Sequence, residues 1–160
     1  MLGDKIVVEG LHCMAEIIHK IGIACSPGKV FNALTTDDGL CQWWTSDASG
    51  AGDVGSIIKF RFNGIGPDFE VIELQPDSLV RWRHSGKIPG PWIGTEVSFQ
   101  LRCERKQTYV LFLHSNWKER SDFMGHCSTK WAVFLLSLKE AIETGKGKPH
   151  PNDVHIDHDE

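Results

Sequence analysis

The stretch DFMGHCSTKWAVFLLSLKEAIETG, residues 122–145, limits most what this chain can fold into. Trp131, Phe134, Leu135, Leu138 and Ile142 recur at helical spacing, and Gly145 stands where a helix stop belongs. The spacing predicts one helix from about Ser121 to Glu143, roughly 33 Å long at about 1.5 Å per residue. A helix of that length crosses a whole small domain, so its apolar stripe needs one broad partner surface.

The middle of the chain supplies that surface, because its apolar period is two rather than 3.6. In SIIKFRF, Ile58, Phe60 and Phe62 fall on one side, with Lys59 and Arg61 on the other. DFEVIEL and SLVRWRH follow, separated by QPDS, where Pro76 and Asp77 are turn formers. TEVSFQLRC and TYVLFLHS flank ERKQ as a hairpin. An even-numbered connection there sets Val97 against His114, Phe99 against Phe112 and Leu101 against Val110, each pair on one face. Ahead of this run, EIIHKIGI reads as a strand with Ile17, His19, Ile21 and Ile23 on one face. CSPGKVFNAL then opens a helix, with Ser26 placed to cap it and Pro27 at its first position. A second short helix is expected over Asp37 to Trp44, capped by Thr36 or Asp37, with Leu40, Trp43 and Trp44 turned inward. The order predicts an α+β domain: a curved antiparallel sheet of six or seven strands, its apolar face covered by one long C-terminal helix. Residues 1–15 are read as an N-terminal arm, 16–149 as the domain and 150–160 as a flexible polar tail.

Composition narrows the function classes. The 160 residues carry a net charge of −4 without a basic run, so no positive field draws nucleic acid or an anionic bilayer. Five cysteines (Cys13, Cys25, Cys41, Cys103 and Cys127) are odd in number and form no Cys-x-x-Cys pair. They are expected to be free thiols of a reducing compartment. Without a signal-peptide pattern or a long apolar run, the expected location is cytoplasmic, with no membrane partner, as a monomer or homodimer.

The familiar catalytic patterns do not survive their contexts. Gly50, Gly52 and Gly55 have the spacing of a dinucleotide fingerprint, but that motif must follow a buried strand and open a helix. Here a strand follows the glycines, so they are read as a turn and no cofactor is expected. No Gly-x-Ser-x-Gly elbow occurs. His114, His126 and Cys127, or the tail histidines His150, His155 and His158, match no metal-ligand spacing, and no metal is expected. No catalytic residue is assigned.

Three stretches carry a family likeness. CSPGKVFNALTTDDGLCQWW resembles the opening of START-like (SRPBCC) domains, in particular the family named for the activator of heat-shock protein 90 ATPase. LVRWRH with GTEVSFQL resembles its central strands; HSNW and KWAVFLLSLKEAIETGKGKPHP resemble its last strand and long helix. The resemblance covers about Glu16 to Pro149 and implies a helix-grip fold, in which sheet and helix enclose a hydrophobic cavity. Superfamily members bind lipids, hormones or polyketides, and some are aromatase/cyclase enzymes. With strand parity, it implies a cavity bordered by Phe60, Phe62, Trp82, Phe99 and Phe112, with Trp131 or Phe134 opposite. His84 and His114 share that parity near strand ends and are expected at its mouth. A small apolar or aromatic ligand is the expected partner. Two other readings stay open: a chaperone-associated, stress-linked interaction module, and a cavity enzyme needing a titratable pair such as His84 with Glu70.

Overall fold

The computed structural model describes residues 15–159; residues 1–14 of the expected N-terminal arm lie outside that range. The elements are β1 (Ala15–Ile23), α1 (Pro27–Thr35), α2 (Asp37–Cys41), β2 (Asp47–Ser49), β3 (Ile57–Arg61), β4 (Asp68–Gln75), β5 (Leu79–His84), a 3-10 turn (Gly90–Trp92), β6 (Glu96–Glu104), β7 (Gln107–Trp117) and α3 (Asp122–Thr144). Seven strands form one sheet in the order β1-β7-β6-β5-β4-β3-β2, every neighbour antiparallel.

The expected β6–β7 register is the observed one: Val97 faces His114, Phe99 faces Phe112 and Leu101 faces Val110. Pairing runs to Glu104 and Gln107, which leaves a two-residue loop of Arg105 and Lys106 at φ 51° and 67°. Positive φ at both loop positions matches the right-handed twist of the flanking strands. The glycine triplet lies between β2 and β3, as a turn. Gly50 has φ 97° there, and a Cβ on it would sit 2.2 Å from the Ile57 carbonyl oxygen. That backbone approach, rather than a phosphate, explains the glycine.

Three local expectations need correction. Ser26 stands at the N-cap of α1 but makes no side-chain cap bond; Thr36 caps α2, its hydroxyl accepting from the Gly39 amide at 3.0 Å. The second helix ends at Cys41, and the following turn, not helix, carries Trp43 and Trp44 into the core. Strand β2 was not expected, because three residues with one buried side chain, Ala48, are too short to show a period.

Helix α3 runs unbroken across the sheet, with the Ser121 hydroxyl accepting from the Met124 amide at 3.1 Å and Gly145 left-handed at its end. Gly147 then passes so close to the helix that a Cβ would sit 2.4 Å from the Gln42 carbonyl and 2.7 Å from that of Ser137. This tight passage aims the chain back along the domain. The segment read as a flexible polar tail is consequently packed. His150 forms a parallel bridge with Thr45, its amide donating to the Trp44 carbonyl at 2.8 Å and its carbonyl accepting from the Ser46 amide at 3.1 Å. Asp153 is buried. Asp153 and the His150 backbone anchor this strap to the domain, while 151–152, 154–155 and 157–159 remain exposed. No helix among the described residues is long and apolar enough to cross a membrane.

Candidate functional site

Between the N-terminal half of α3, the loops at one end of the sheet and the C-terminal strap lies a cavity of about 500 Å³. Trp44, Phe62, Trp92, Phe123, Trp131 and Phe134 give it an aromatic wall. On α3, Phe123, Cys127, Lys130, Trp131 and Phe134 reach it through their helical spacing, which places them on one face. The β5–β6 loop supplies Pro89 and Trp92, the β3–β4 turn Asn63 and Pro67, and the strap His150, Asp153 and His155.

The nine sequence-predicted residues divide into two sets. Phe62, Trp131 and Phe134 line the cavity. Phe60, Trp82, Phe99 and Phe112 point inward as their parity requires, but all four are fully buried and none lines it. The space expected in front of them is filled by Trp44, whose ring lies 4.1 Å from Phe60, 4.8 Å from Trp131 and parallel to Trp82 at 6.4 Å. Parity correctly predicts direction; it carries no information about a tryptophan arriving from a turn elsewhere in the chain. The cavity is thereby displaced from the centre of the sheet to its end.

His84 and His114 are core groups, not mouth groups. The Trp131 indole N–H donates to His114 Nδ1 at 3.1 Å, and because an indole only donates, Nδ1 carries the lone pair. Nε2–H therefore faces Thr95 Oγ1 at 2.9 Å, and the Thr95 hydroxyl donates to the Trp92 carbonyl at 2.6 Å. This chain ties β7, the β5–β6 loop and α3 together behind the cavity wall. Burial, with a smaller contribution from the nearby charge of His84, lowers the His114 pKa to about 3, so the ring is neutral at ordinary pH. His84 Nε2 bonds the Ile88 carbonyl at 2.8 Å and holds the loop that carries Trp92. Glu70 pairs across from Arg83 on the outer face of the sheet, whereas His84 pairs across from Phe69 on the inner face. Alternation along β4 and β5 separates Glu70 from His84, so the pair a cavity enzyme needed does not converge.

The polar groups at the cavity come chiefly from residues absent from the predicted set. Lys130 Nζ donates to Asp153 Oδ2 at 2.5 Å and to the Val154 carbonyl at 3.3 Å, and sits 5.3 Å from the centre of the Phe134 ring. His150 Nδ1 lies 3.5 Å from the other Asp153 oxygen, and His126 Nδ1 lies 3.6 Å from Asp157. Burial pushes the Cys127 thiol up to about 11, which leaves it protonated and non-nucleophilic at neutral pH. Among the described residues, no three His, Cys, Asp or Glu side chains gather in a way that could hold a metal ion. Among the described lining residues Lys130 is matched by the Asp153 carboxylate, while His150 Nε2 is buried without a hydrogen-bond partner, so the cavity offers mainly apolar surface with a few polar positions. Two sequence signals bore on these residues. Lys130 interrupts the apolar face of α3 beside Trp131, and Trp92 stands in a Pro/Gly-rich loop outside any periodic run.

A family model described as Activator of Hsp90 ATPase homolog 1-like protein matches residues 24–143. Among solved structures, the Aha1 dimer from Colwellia psychrerythraea, determined in solution, is 63% identical, with 84% of this chain and 100% of that chain covered and a TM-score of 0.79. A protein from Mesorhizobium loti is 19% identical over 79% of this chain and 95% of its own, with a TM-score of 0.70. A conserved protein of unknown function from Enterococcus faecalis is 18% identical over 86% of this chain and 77% of its own, with a TM-score of 0.68. At those identities the last two show a shared fold alone. No match was found among the curated proteins.

Proposed function

The chain belongs to the Activator of Hsp90 ATPase homolog 1-like family, with the START-like helix-grip fold, and from that premise we propose that it binds a small, uncharged apolar or aromatic ligand. The observation that carries this reading is the aromatic cavity of about 500 Å³, large enough for a drug-sized molecule and lined by a few polar groups. Pairing of Lys130 with Asp153 removes the charge that would select an anion, so the ligand is held by area and ring contacts. No catalytic role is assigned to His114, which is locked in the core, or to Cys127, which is a neutral thiol.

A titration with N-phenyl-1-naphthylamine, a neutral dye that brightens in apolar surroundings, tests the reading. Saturable binding is expected, and Cys127→Phe, which fills the cavity from α3, should weaken it by at least about tenfold at a folding cost of roughly 1–3 kcal/mol. Equal binding by a folded Cys127→Phe variant would place the dye elsewhere.

A second reading rests on the 63% identity to a protein described as an Aha1 dimer: this chain also forms a homodimer and contacts an Hsp90-type chaperone. Stimulation of a purified chaperone's ATPase rate by this chain supports it, and an unchanged rate at saturating protein rejects it.

A further inference from the structure

Exposed large apolar side chains are normal when single and informative when grouped. Of nine among the described residues, Ile18, Val54, Ile57 and Leu136 lie on β1, the β2–β3 connection, β3 and the outer side of α3. The other five, Ile65, Ile88, Ile93, Phe123 and Val154, belong to the segments that build the cavity. Ile65 stands at the β3–β4 turn between the lining residues Asn63 and Pro67. Ile88 and Ile93 flank Pro89 and Trp92, Val154 lies between Asp153 and His155, and Phe123 lines the cavity itself. Exposed apolar groups therefore stand on four separate segments that each also contribute cavity-lining residues, with Ile65 67% exposed.

We infer that these groups form a rim where a second copy of this chain docks, so that the homodimer closes the mouth of the ligand cavity of each protomer. The inference rests on the ligand-binding and homodimer readings above and names the surface that joins them. Three observations favour a second copy over other occupants. An apolar rim has no sign of charge, so it is self-complementary across a two-fold axis, as an isologous interface requires. The net charge of −4 opposes docking on an anionic bilayer. Finally, a relative 63% identical over its full length is a dimer. A standard interface buries about 800 Å² per partner, so the five side chains form its apolar centre and the surrounding polar residues its edge.

Sedimentation equilibrium of the full chain, of Ile65→Glu, of Ile88→Glu and of the controls Ile18→Glu and Leu136→Glu tests this. The wild type and both controls should be dimers, while each rim variant should raise the dimer dissociation constant by at least about thirtyfold. Ile88→Ser provides a milder rim change, with unchanged circular dichroism confirming the fold. The dye should still bind the monomeric variants, but its release should be faster by about tenfold or more because the mouth is open. A wild-type monomer at all concentrations, dimers that survive both rim charges, or a dimer broken by Ile18→Glu would overturn the inference, even where dye binding persists. Rim-dependent flotation with phosphatidylcholine vesicles by a monomeric wild type would also overturn it, in favour of a membrane. Loss of dye binding in an intact dimer would instead sink the ligand-binding reading alone.

Discussion

The space between sheet and α3 has two ends built from the same residue types, and they behave oppositely. At the centre, behind Trp44, the rings of Phe60, Phe69, Trp82, Phe99 and Phe112 pack together, with Phe99 edge to face 5.1 Å from Trp82 and 5.3 Å from Phe112. At the other end, Phe62, Trp92, Phe123, Trp131 and Phe134 stand around an open volume. Hydrophobicity does not distinguish them; support does. The packed end has strand backbones on one side and, on the other, the turn after α2 that carries Trp43 and Trp44. The open end is bounded by α3, loops and a strap, the strap being tied to α3 through Lys130 and to the backbone at Trp44 and Ser46.

The largest test of this contrast is a pair of truncations. Trp82→Ala in the packed end should cost about 3–5 kcal/mol, because the hole is surrounded by rings that have no room to collapse. Phe62→Ala, at the half-buried edge of the cavity, should cost under about 2 kcal/mol and weaken dye binding instead. Equal costs measured by denaturant unfolding would show that the two ends do not differ in packing.

A smaller effect sharpens the boundary between the ends, where His114 sits. Its folded pKa is lowered to about 3, below the ordinary value of about 6.5 in an unfolded chain. The unfolded state therefore binds the extra proton between those values. The contribution is fully present above pH 6.5 and is lost progressively as pH falls from 6.5 toward 3. Between pH 7.5 and pH 5 the loss should be about 2 kcal/mol, at roughly 1.4 kcal/mol per pH unit once the unfolded imidazole titrates. His114→Gln should flatten that slope relative to wild type. An unchanged slope would mean that His114 does not set it.

The same contrast explains what was legible in the sequence. The β6–β7 register was readable because alternation fixes which side chains share a face, and Val97, Phe99 and Leu101 alternate cleanly. The long helix was readable from its stripe and its glycine stop. The strap was not, since PHPNDVHIDHDE has no period and is held by Lys130 and by a backbone bridge to Thr45, both distant in sequence. The cavity was read from inward parity, which found Phe62, Trp131 and Phe134 together with the residues of the packed centre. Separating the two sets required knowing that Trp44 swings into the centre and Trp92 to the end. Both depend on loop geometry, which no periodicity encodes.

Six tryptophans report on that division directly. Trp44, Trp92 and Trp131 line the cavity; Trp43, Trp82 and Trp117 are buried away from it. Their indole N–H signals, assigned by Trp→Phe substitution in a proton–nitrogen correlation spectrum, can be followed during titration with N-phenyl-1-naphthylamine. The account predicts saturable shifts for Trp44, Trp92 and Trp131, with those of Trp43, Trp82 and Trp117 essentially still. Shifts centred on Trp82 and Trp43, or no saturable shift at any of the six, would contradict it.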